Sequence, residues 1–510
     1  MIRDFLDDLR RLAGLHETRP AIIDGHDAAV MTWGEMDRRS DHAAAYLAGL
    51  GLGAGERLVL QVPNSVDCFL LFLGCMKLGA EFAPLPPQAS LREVKSWTAL
   101  VRPRVAVLAD SAVPAVAEAL REAGVATASI RLAKSLAWLP AAEKPARPTR
   151  SGRLLLKTSG TTGEPKAMVF DIDRLWSSGS AFLRHHDFLD ADARFLNNLP
   201  MSYLGGLFNL GLIPLAAGGC FVAAQPFSGT SFLSFWQDVE RLDINVLWMV
   251  PTIARGLLAI ANRTRHPQVE RRRNAIRAAF LGTAPIDLAT KEAFEATFNI
   301  PLVENFALSE TTFFTSETLG SRFRREQGSV GEALPYVEMR FGERPDPDAE
   351  PAEIEVKSPY LFLGYLGGDG AINLPLTEDG FLRTGDLGHL NAKGSLVIDG
   401  RTRDIIKKGG HFVPLREIEI LAEQHPEVRE AVAVPIPHDF YGEDFCLAVH
   451  LREGHSAEAL PALNRWLHDN LVNYKWPQHI VIRDTFPRTA SGKVRKKELA
   501  DEILRTERLV

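Results

Sequence analysis

Apolar residues recur along the first 150 positions in two alternating rhythms. Helical spacing runs over 34–50, where Gly49 and Gly51 supply a stop, and again over 66–78, while short apolar runs of strand length fall at 57–62 and 105–108. Strand and helix in alternation predict a β-α layered sheet. A Pro- and charge-rich passage at 139–153 reads as a linker between two such blocks. Alternation then resumes, with strands expected at 153–157, 246–250, 278–281 and 302–305. From Glu353 the rhythm changes to short strands, 353–357 and 395–399, broken by Gly-rich turns, which predicts a small β-barrel or antiparallel subdomain. The chain beyond 400 alternates strand and helix as an α+β unit, and no internal repeat is present.

Composition narrows the class. A chain of 510 residues exceeds one compact core and predicts two to four folding units. With 46% hydrophobic and 24% charged residues it belongs with ordinary globular proteins. Cys68, Cys75, Cys220 and Cys446 are scattered, with no C-x-x-C pair, so neither a disulfide framework nor a structural zinc site is expected, and a cytoplasmic setting fits. The opening MIRDFLDDLRRL lacks the apolar core of a secretory signal. The most apolar stretch, 68–85, carries Lys77 and Glu81 and runs into Pro84, so a buried helix is expected there and no membrane span.

Charge adds a local clue. The net charge of −6 lies wholly before Arg401, beyond which acids and bases balance, so no broad basic field exists to hold nucleic acid. Positive charge is bunched at Arg401, Arg403, Lys407 and Lys408, and again at Lys493, Arg495, Lys496 and Lys497. Such clusters suit local anion chemistry, or else a solvated face.

The strongest chemical signal is LLLKTSGTTGEPK, ending at Lys166. An apolar strand runs into a loop with Thr158, Ser159, Gly160, Thr161, Thr162 and Gly163, closed by Lys166. Small residues let backbone N–H groups approach phosphate oxygens, hydroxyls add donors, and a lysine adds a point charge. The spacing G-x-x-G-x-x-K is not that of a Walker A loop. His185-His186 with Asp190 matches a condensing-acyltransferase pattern, H-H-x-x-x-D, but falls at an expected helix end and reads as coincidence. Neither a G-x-S-x-G elbow nor a G-x-G-x-x-G fingerprint occurs.

The loop from Thr158 to Lys166 resembles the signature of the adenylate-forming enzymes: acyl-CoA synthetases, aryl-acid ligases, adenylation domains of nonribosomal peptide synthetases and beetle luciferases. Further segments resemble that family in its order, over essentially the whole chain. By the likeness of NFALSE, Asn305 hydrogen-bonds the adenine edge, Phe306 stacks on the ring, Ser309 reaches the α-phosphate and Glu310 holds Mg²⁺. One carboxylate plus phosphates and waters is chemically sufficient for that ion. In Gly282-Thr283-Ala284-Pro285 the backbone borders adenine and the acyl carbonyl. Asp386, in Thr384-Gly385-Asp386, and Arg401 take the ribose hydroxyls, and Ile398 joins the ATP-binding set. Lys493, in P-x-T-x-x-G-K, is the implied catalytic lysine, able to neutralise charge as pyrophosphate departs.

The resemblance also implies an architecture of class α/β. A large N-terminal domain, 1–400, holds two β-α layered sheets and a small β-barrel subdomain, and a small mobile α+β C-terminal domain spans 404–510. The hinge is 401–403, with Arg403 where relatives more often carry Asp or Lys. Gly409 and Gly410 would flank a thiol channel. The acid pocket is assigned to Tyr203, Phe208, Thr283 and Ala307, with Tyr203 standing where relatives often have His. The absence of an F-D-x-S segment tilts the substrate away from α-amino acids. The implied activity uses ATP and Mg²⁺ to convert a small carboxylic acid to acyl-AMP, then passes the acyl group to a thiol. That thiol, CoA or the phosphopantetheine of a carrier protein, is expected in trans, since no D-S-L serine motif occurs. The alternatives are an enzyme adenylating amino or β-amino acids, delivery to an amine, and a regulatory nucleotide binder. A homodimer stands beside a monomer.

Overall fold

The apolar stretch near residue 70 takes its character from its position. In the computed structural model, Val66–Lys77 is a helix capped by the Ser65 hydroxyl, and residues 67–77 are all buried. Phe69 packs edge-on against Phe221 at 4.8 Å and Phe72 against Phe82 at 5.3 Å, and these two partners belong to different sheets. The helix is therefore a filling between two sheets and needs apolar side chains all round. Its Gly74 lets the neighbouring helix Trp33–Gly49 approach closely, since a Cβ there would lie 2.7 Å from the Ala44 nitrogen. Lys77 is buried yet fully partnered, donating to the Asp37 carbonyl at 2.8 Å, to its carboxylate at 2.7 Å and to Asp41 at 2.6 Å. Among the described residues no helix is long and apolar enough to cross a membrane. The four cysteines are buried and unbridged.

The structure describes residues 2–112, 114–130, 148, 150–158, 166–261, 275–283, 286–342, 352–402, 405–408, 411–438, 442–489 and 493–506. The expected linker at 139–153 lies mostly outside them. Within them, one eight-stranded sheet runs in the spatial order Ile372–Asn373, Gly364–Leu366, Lys166–Asp171, Arg153–Thr158, Glu81–Pro84, Arg57–Gln61, Val105–Ala109, Ala126–Ile130. A nine-stranded sheet has the parallel run Leu302–Leu308, Ala278–Leu281, Val246–Met249, Arg194–Asn197, Cys220–Ala223 at its centre. Strands buried on both faces read as the continuous apolar runs seen in the sequence. The antiparallel subdomain is a four-stranded sheet of Glu338–Phe341, Ala352–Lys357, Leu382–Leu390 and Leu396–Arg401. The last sheet uses only residues beyond 404: His411–Pro414, Ile405–Lys408, Gly442–Leu451, Val428–His438 and His479–Ile482. Helices Leu415–Glu423, Leu460–Asn470 and Lys496–Thr506 belong to the same stretch of chain, and their buried residues pack with those strands in two apolar clusters.

Candidate functional site

The segment expected to cradle phosphate is flanked by two paired strands. Arg153–Thr158 pairs antiparallel with Lys166–Asp171, with Thr158 opposite Lys166. A strand therefore follows the segment, whereas a helix follows a Walker A loop. Ser159, Gly160, Thr161, Thr162 and Gly163 lie outside the described residues, as do Ala284, Pro285, Arg403, Gly409 and Gly410. Lys166 is exposed, its ammonium 5.6 Å from the centre of the Tyr365 ring.

The segment expected to take adenine continues a central strand, Leu302–Leu308. Asn305 is buried, and its Nδ2 has no partner among the described residues. A buried amide donor left unbonded costs roughly 1–3 kcal/mol, so a site that receives a hydrogen-bond acceptor there recovers it. Gly282 lies against this amide, since a Cβ at 282 would stand 2.9 Å from Asn305 Oδ1. The next residue, Thr283, is exposed and has φ of +76°, unusual for a β-branched residue and a mark of local strain. The Phe306 ring packs edge-on against Phe314 at 5.1 Å. A register irregularity follows at Phe306/Ala307, leaving Ala307 exposed.

Ser309 and Glu310 are half-buried at the end of the same strand. Tyr365 donates its hydroxyl to Glu310 Oε1 at 2.6 Å, and the Phe362 N–H bonds the Glu310 carbonyl at 2.9 Å. Among the described residues Oε2 carries no bond, and no cluster of three or more metal-ligating side chains exists. A half-exposed single carboxylate with one open oxygen fits Mg²⁺ brought in with phosphates and waters.

The two residues expected at the ribose are joined to each other. Asp386 and Arg401 face each other across two antiparallel strands, with Arg401 Nε 2.7 Å from Asp386 Oδ1. Asp386 is buried, its N–H held by the Thr384 hydroxyl at 3.0 Å, and Ile398 lies on the same strand as Arg401.

Of the residues expected to line the acid pocket, Tyr203 keeps 38% of its surface exposed. Protein packed around its hydroxyl pushes the phenol pKa up, the Glu93 carboxylate adds to that, and the Arg495 guanidinium opposes it. Glu93 is itself paired with Lys157 at 3.2 Å. Arg495 belongs to the hairpin that carries Lys493, where Thr489 N–H bonds the Lys493 carbonyl at 2.8 Å and Arg495 N–H bonds the Pro487 carbonyl at 2.8 Å. After Tyr203 the chain enters a π-helix, Gly205–Leu212, which the sequence rhythm did not announce. Gly206 permits it, since a Cβ would sit 2.4 Å from the carbonyls of Leu199 and Pro200. Phe208 is buried, stacked on Phe313 at 5.9 Å, and Phe313 in turn contacts Phe182 and Trp248.

His185 closes the helix Ile172–His185, as expected. His186 lies in this aromatic block, 4.4 Å from the Phe182 ring and bonded to Ser316. Burial above all, with His185 beside it, lowers its pKa to about 3, so it is a neutral core residue.

The sequence profile of the AMP-binding enzyme family matches residues 9–366, and that of the AMP-binding enzyme C-terminal domain matches residues 417–493. The chain is 30% identical over 491 residues to a sulfoacetate–CoA ligase of Cupriavidus necator, covering 94% of each chain. It is 27% identical to an oxalate–CoA ligase of Arabidopsis thaliana, covering 91% of each. The ATP-bound structure of MatB from Rhodopseudomonas palustris superposes with a TM-score of 0.85 at 25% identity, covering 97% of this chain and 99% of that one. The apo structure of the same protein gives 0.76. With both profiles in their expected order along one chain, and a relative at this identity over nearly its whole length, the protein belongs to the AMP-binding enzyme family.

Proposed function

We propose that the chain is an ATP- and Mg²⁺-dependent acid–thiol ligase whose acid is short and carries a second anionic group, and whose thiol is CoA. In the first half-reaction a carboxylate oxygen attacks the α-phosphorus of ATP, forming acyl-AMP and expelling pyrophosphate. In the second, the thiol sulfur attacks the acyl carbonyl and gives up its proton to solvent, the carbon–oxygen bond to phosphate breaks, and AMP leaves with the bonding pair as the thioester forms. Asn305 and Phe306 take adenine, Asp386 and Arg401 the ribose, Lys166 and the loop before it the phosphates, Glu310 the metal ion, and Lys493 the charge that develops at the α-phosphate.

The observation that carries this reading is the Glu310 carboxylate, held by the Tyr365 hydroxyl at 2.6 Å with its other oxygen open, at the end of the strand on which Asn305 keeps a buried amide donor without a partner among the described residues. The short acid is supported by the closed aromatic block behind the π-helix, where Phe208, Phe313, Phe182 and Trp248 pack ring against ring. It is supported too by the small dianionic acids in the names of the sulfoacetate, oxalate and malonate ligases to which the chain is similar. Pyrophosphate release measured with sulfoacetate, oxalate, malonate, a medium-chain fatty acid, an aryl acid and a β-amino acid, each with and without CoA, tests both halves. Turnover fastest with the fatty or aryl acid would remove the short-acid reading. Acyl-AMP formation without any CoA thioester would point to another acceptor.

A further inference from the structure

Lys166 and Glu310 carry opposite charges near the same place, yet no ion pair joins them among the described residues. The side chain of Tyr365 explains this. Its ring takes the Lys166 ammonium at 5.6 Å, within the range of a cation–π contact, while its hydroxyl donates to Glu310 Oε1 at 2.6 Å. The direction of the side chain is fixed by its strand. Gly364–Leu366 pairs with Lys166–Asp171 on one side, Tyr365 facing Met168, and with Ile372–Asn373 on the other, Tyr365 facing Asn373. Gly364 starts the strand at φ of +133°, where a Cβ would come 2.4 Å from the Asn373 carbonyl oxygen, so the backbone approach requires glycine. The ring is braced edge-on by Phe362 at 5.0 Å, and the Phe362 N–H holds the Glu310 carbonyl. One short stretch of chain therefore fixes both the backbone and the carboxylate of Glu310.

We propose that Tyr365 is a positioning residue, resting on the assignment of Glu310 to the metal ion. Its hydroxyl aims the Glu310 carboxylate and leaves Oε2 to the metal. Its ring stands between Lys166 and Glu310, so that the two charges stay available to a phosphate and a cation instead of neutralising each other. A hydrogen bond that orients a ligating group typically changes metal affinity by 10- to 100-fold.

The test is ATP affinity of the full-length protein by titration calorimetry, once with excess Mg²⁺ and once with EDTA. The variants are Tyr365→Phe, Tyr365→Leu and Glu310→Gln. In the wild type, Mg²⁺ tightens ATP. Tyr365→Phe keeps the ring, so affinity in EDTA stays at the wild-type value while the tightening by Mg²⁺ shrinks by about tenfold. Tyr365→Leu removes the spacer, and affinity falls in EDTA as well. Glu310→Gln abolishes the tightening if Glu310 binds the metal. A wild-type response in Glu310→Gln would overturn the metal assignment itself. If Glu310→Gln loses the response and Tyr365→Phe keeps it, the role given to Tyr365 is wrong while the assignment of Glu310 stands. Equal losses of Tyr365→Phe in both conditions would make the residue merely structural, and tighter Mg²⁺·ATP binding would make its hydroxyl a competitor of the metal. Either result overturns the proposal.

Discussion

Lys493→Ala is expected to slow acyl-AMP formation by two to three powers of ten while leaving thioester formation from supplied acyl-AMP near the wild-type rate. The magnitude follows from two independent routes. A unit charge about 4 Å from another contributes about 4 kcal/mol at the effective dielectric of a partly exposed protein site, which sets an upper bound near a thousandfold. Removal of one donor aimed at developing transition-state charge costs about 2.7–4 kcal/mol in other enzymes, or 10²- to 10³-fold. The fold should be indifferent. Lys493 is exposed, and its hairpin is held by bonds from backbone groups, including its own N–H to the Thr489 hydroxyl at 3.1 Å, which alanine retains. Pyrophosphate release in a rapid-quench experiment reads the first step, and single-turnover transfer from synthetic acyl-AMP to CoA reads the second. An equal fall in both steps, in a variant with unchanged thermal unfolding, would refute the assignment of Lys493 to the first half-reaction.

Arg403→Pro should fix φ near roughly −65° and remove an N–H, trapping one orientation of the segment beyond it; the same two assays should show one half-reaction spared and the other slowed, and wild-type rates in both would remove residue 403 as a hinge. Lys77→Met leaves the buried Asp41 and half-buried Asp37 carboxylates without their ammonium and should destabilise by about 3 kcal/mol, the low end for a broken buried pair because Asp37 can rehydrate; urea unfolding should show that adding Asp37→Asn and Asp41→Asn recovers most of the loss. Glu304, fully buried beside Lys291, has its pKa raised by that burial to about 7. The unfolded chain therefore ionises first, so this residue lowers stability as pH rises from about 4.5 to 7, and Glu304→Gln should flatten the stability profile across that window. An unchanged slope between those pH values would show that Lys291 holds the carboxylate ionised throughout.

Much of the fold was legible because its central strands are buried on both faces and so appear as unbroken apolar runs. The expected strand at 278–281 matches Ala278–Leu281, and that at 153–157 falls one residue short of Arg153–Thr158. The ends were less legible: 66–78 overran Val66–Lys77 by a residue, since the last apolar position, Leu78, serves as the cap. The spatial order of the strands was hidden, because burial pattern says that a strand has neighbours and not which ones. The π-helix was hidden for a related reason: GGLFNLGL is apolar enough to lie in any helix, and nothing in its composition distinguishes an i+4 from an i+5 ladder. Tyr365 carried no signal at all. It lies 55 residues from Glu310 in an ordinary Gly-Tyr-Leu strand, and only the pairing of that strand with Lys166–Asp171 brings its hydroxyl to the carboxylate.

The division of the strands has a consequence for the nucleotide. Asn305 and Phe306 belong to the nine-stranded sheet, Thr158 and Lys166 to the eight-stranded one, Asp386 and Arg401 to the four-stranded one, and Lys493 to the chain beyond the last sheet. On the assignments proposed here, a single ATP molecule is gripped at its base, sugar and phosphates by parts built separately, and it acts as a rivet through their seams. Its binding energy is then also assembly energy. Substitutions that loosen the packing of one sheet on another, far from any phosphate, should surface first as weakened nucleotide affinity, before any loss of secondary structure can be seen.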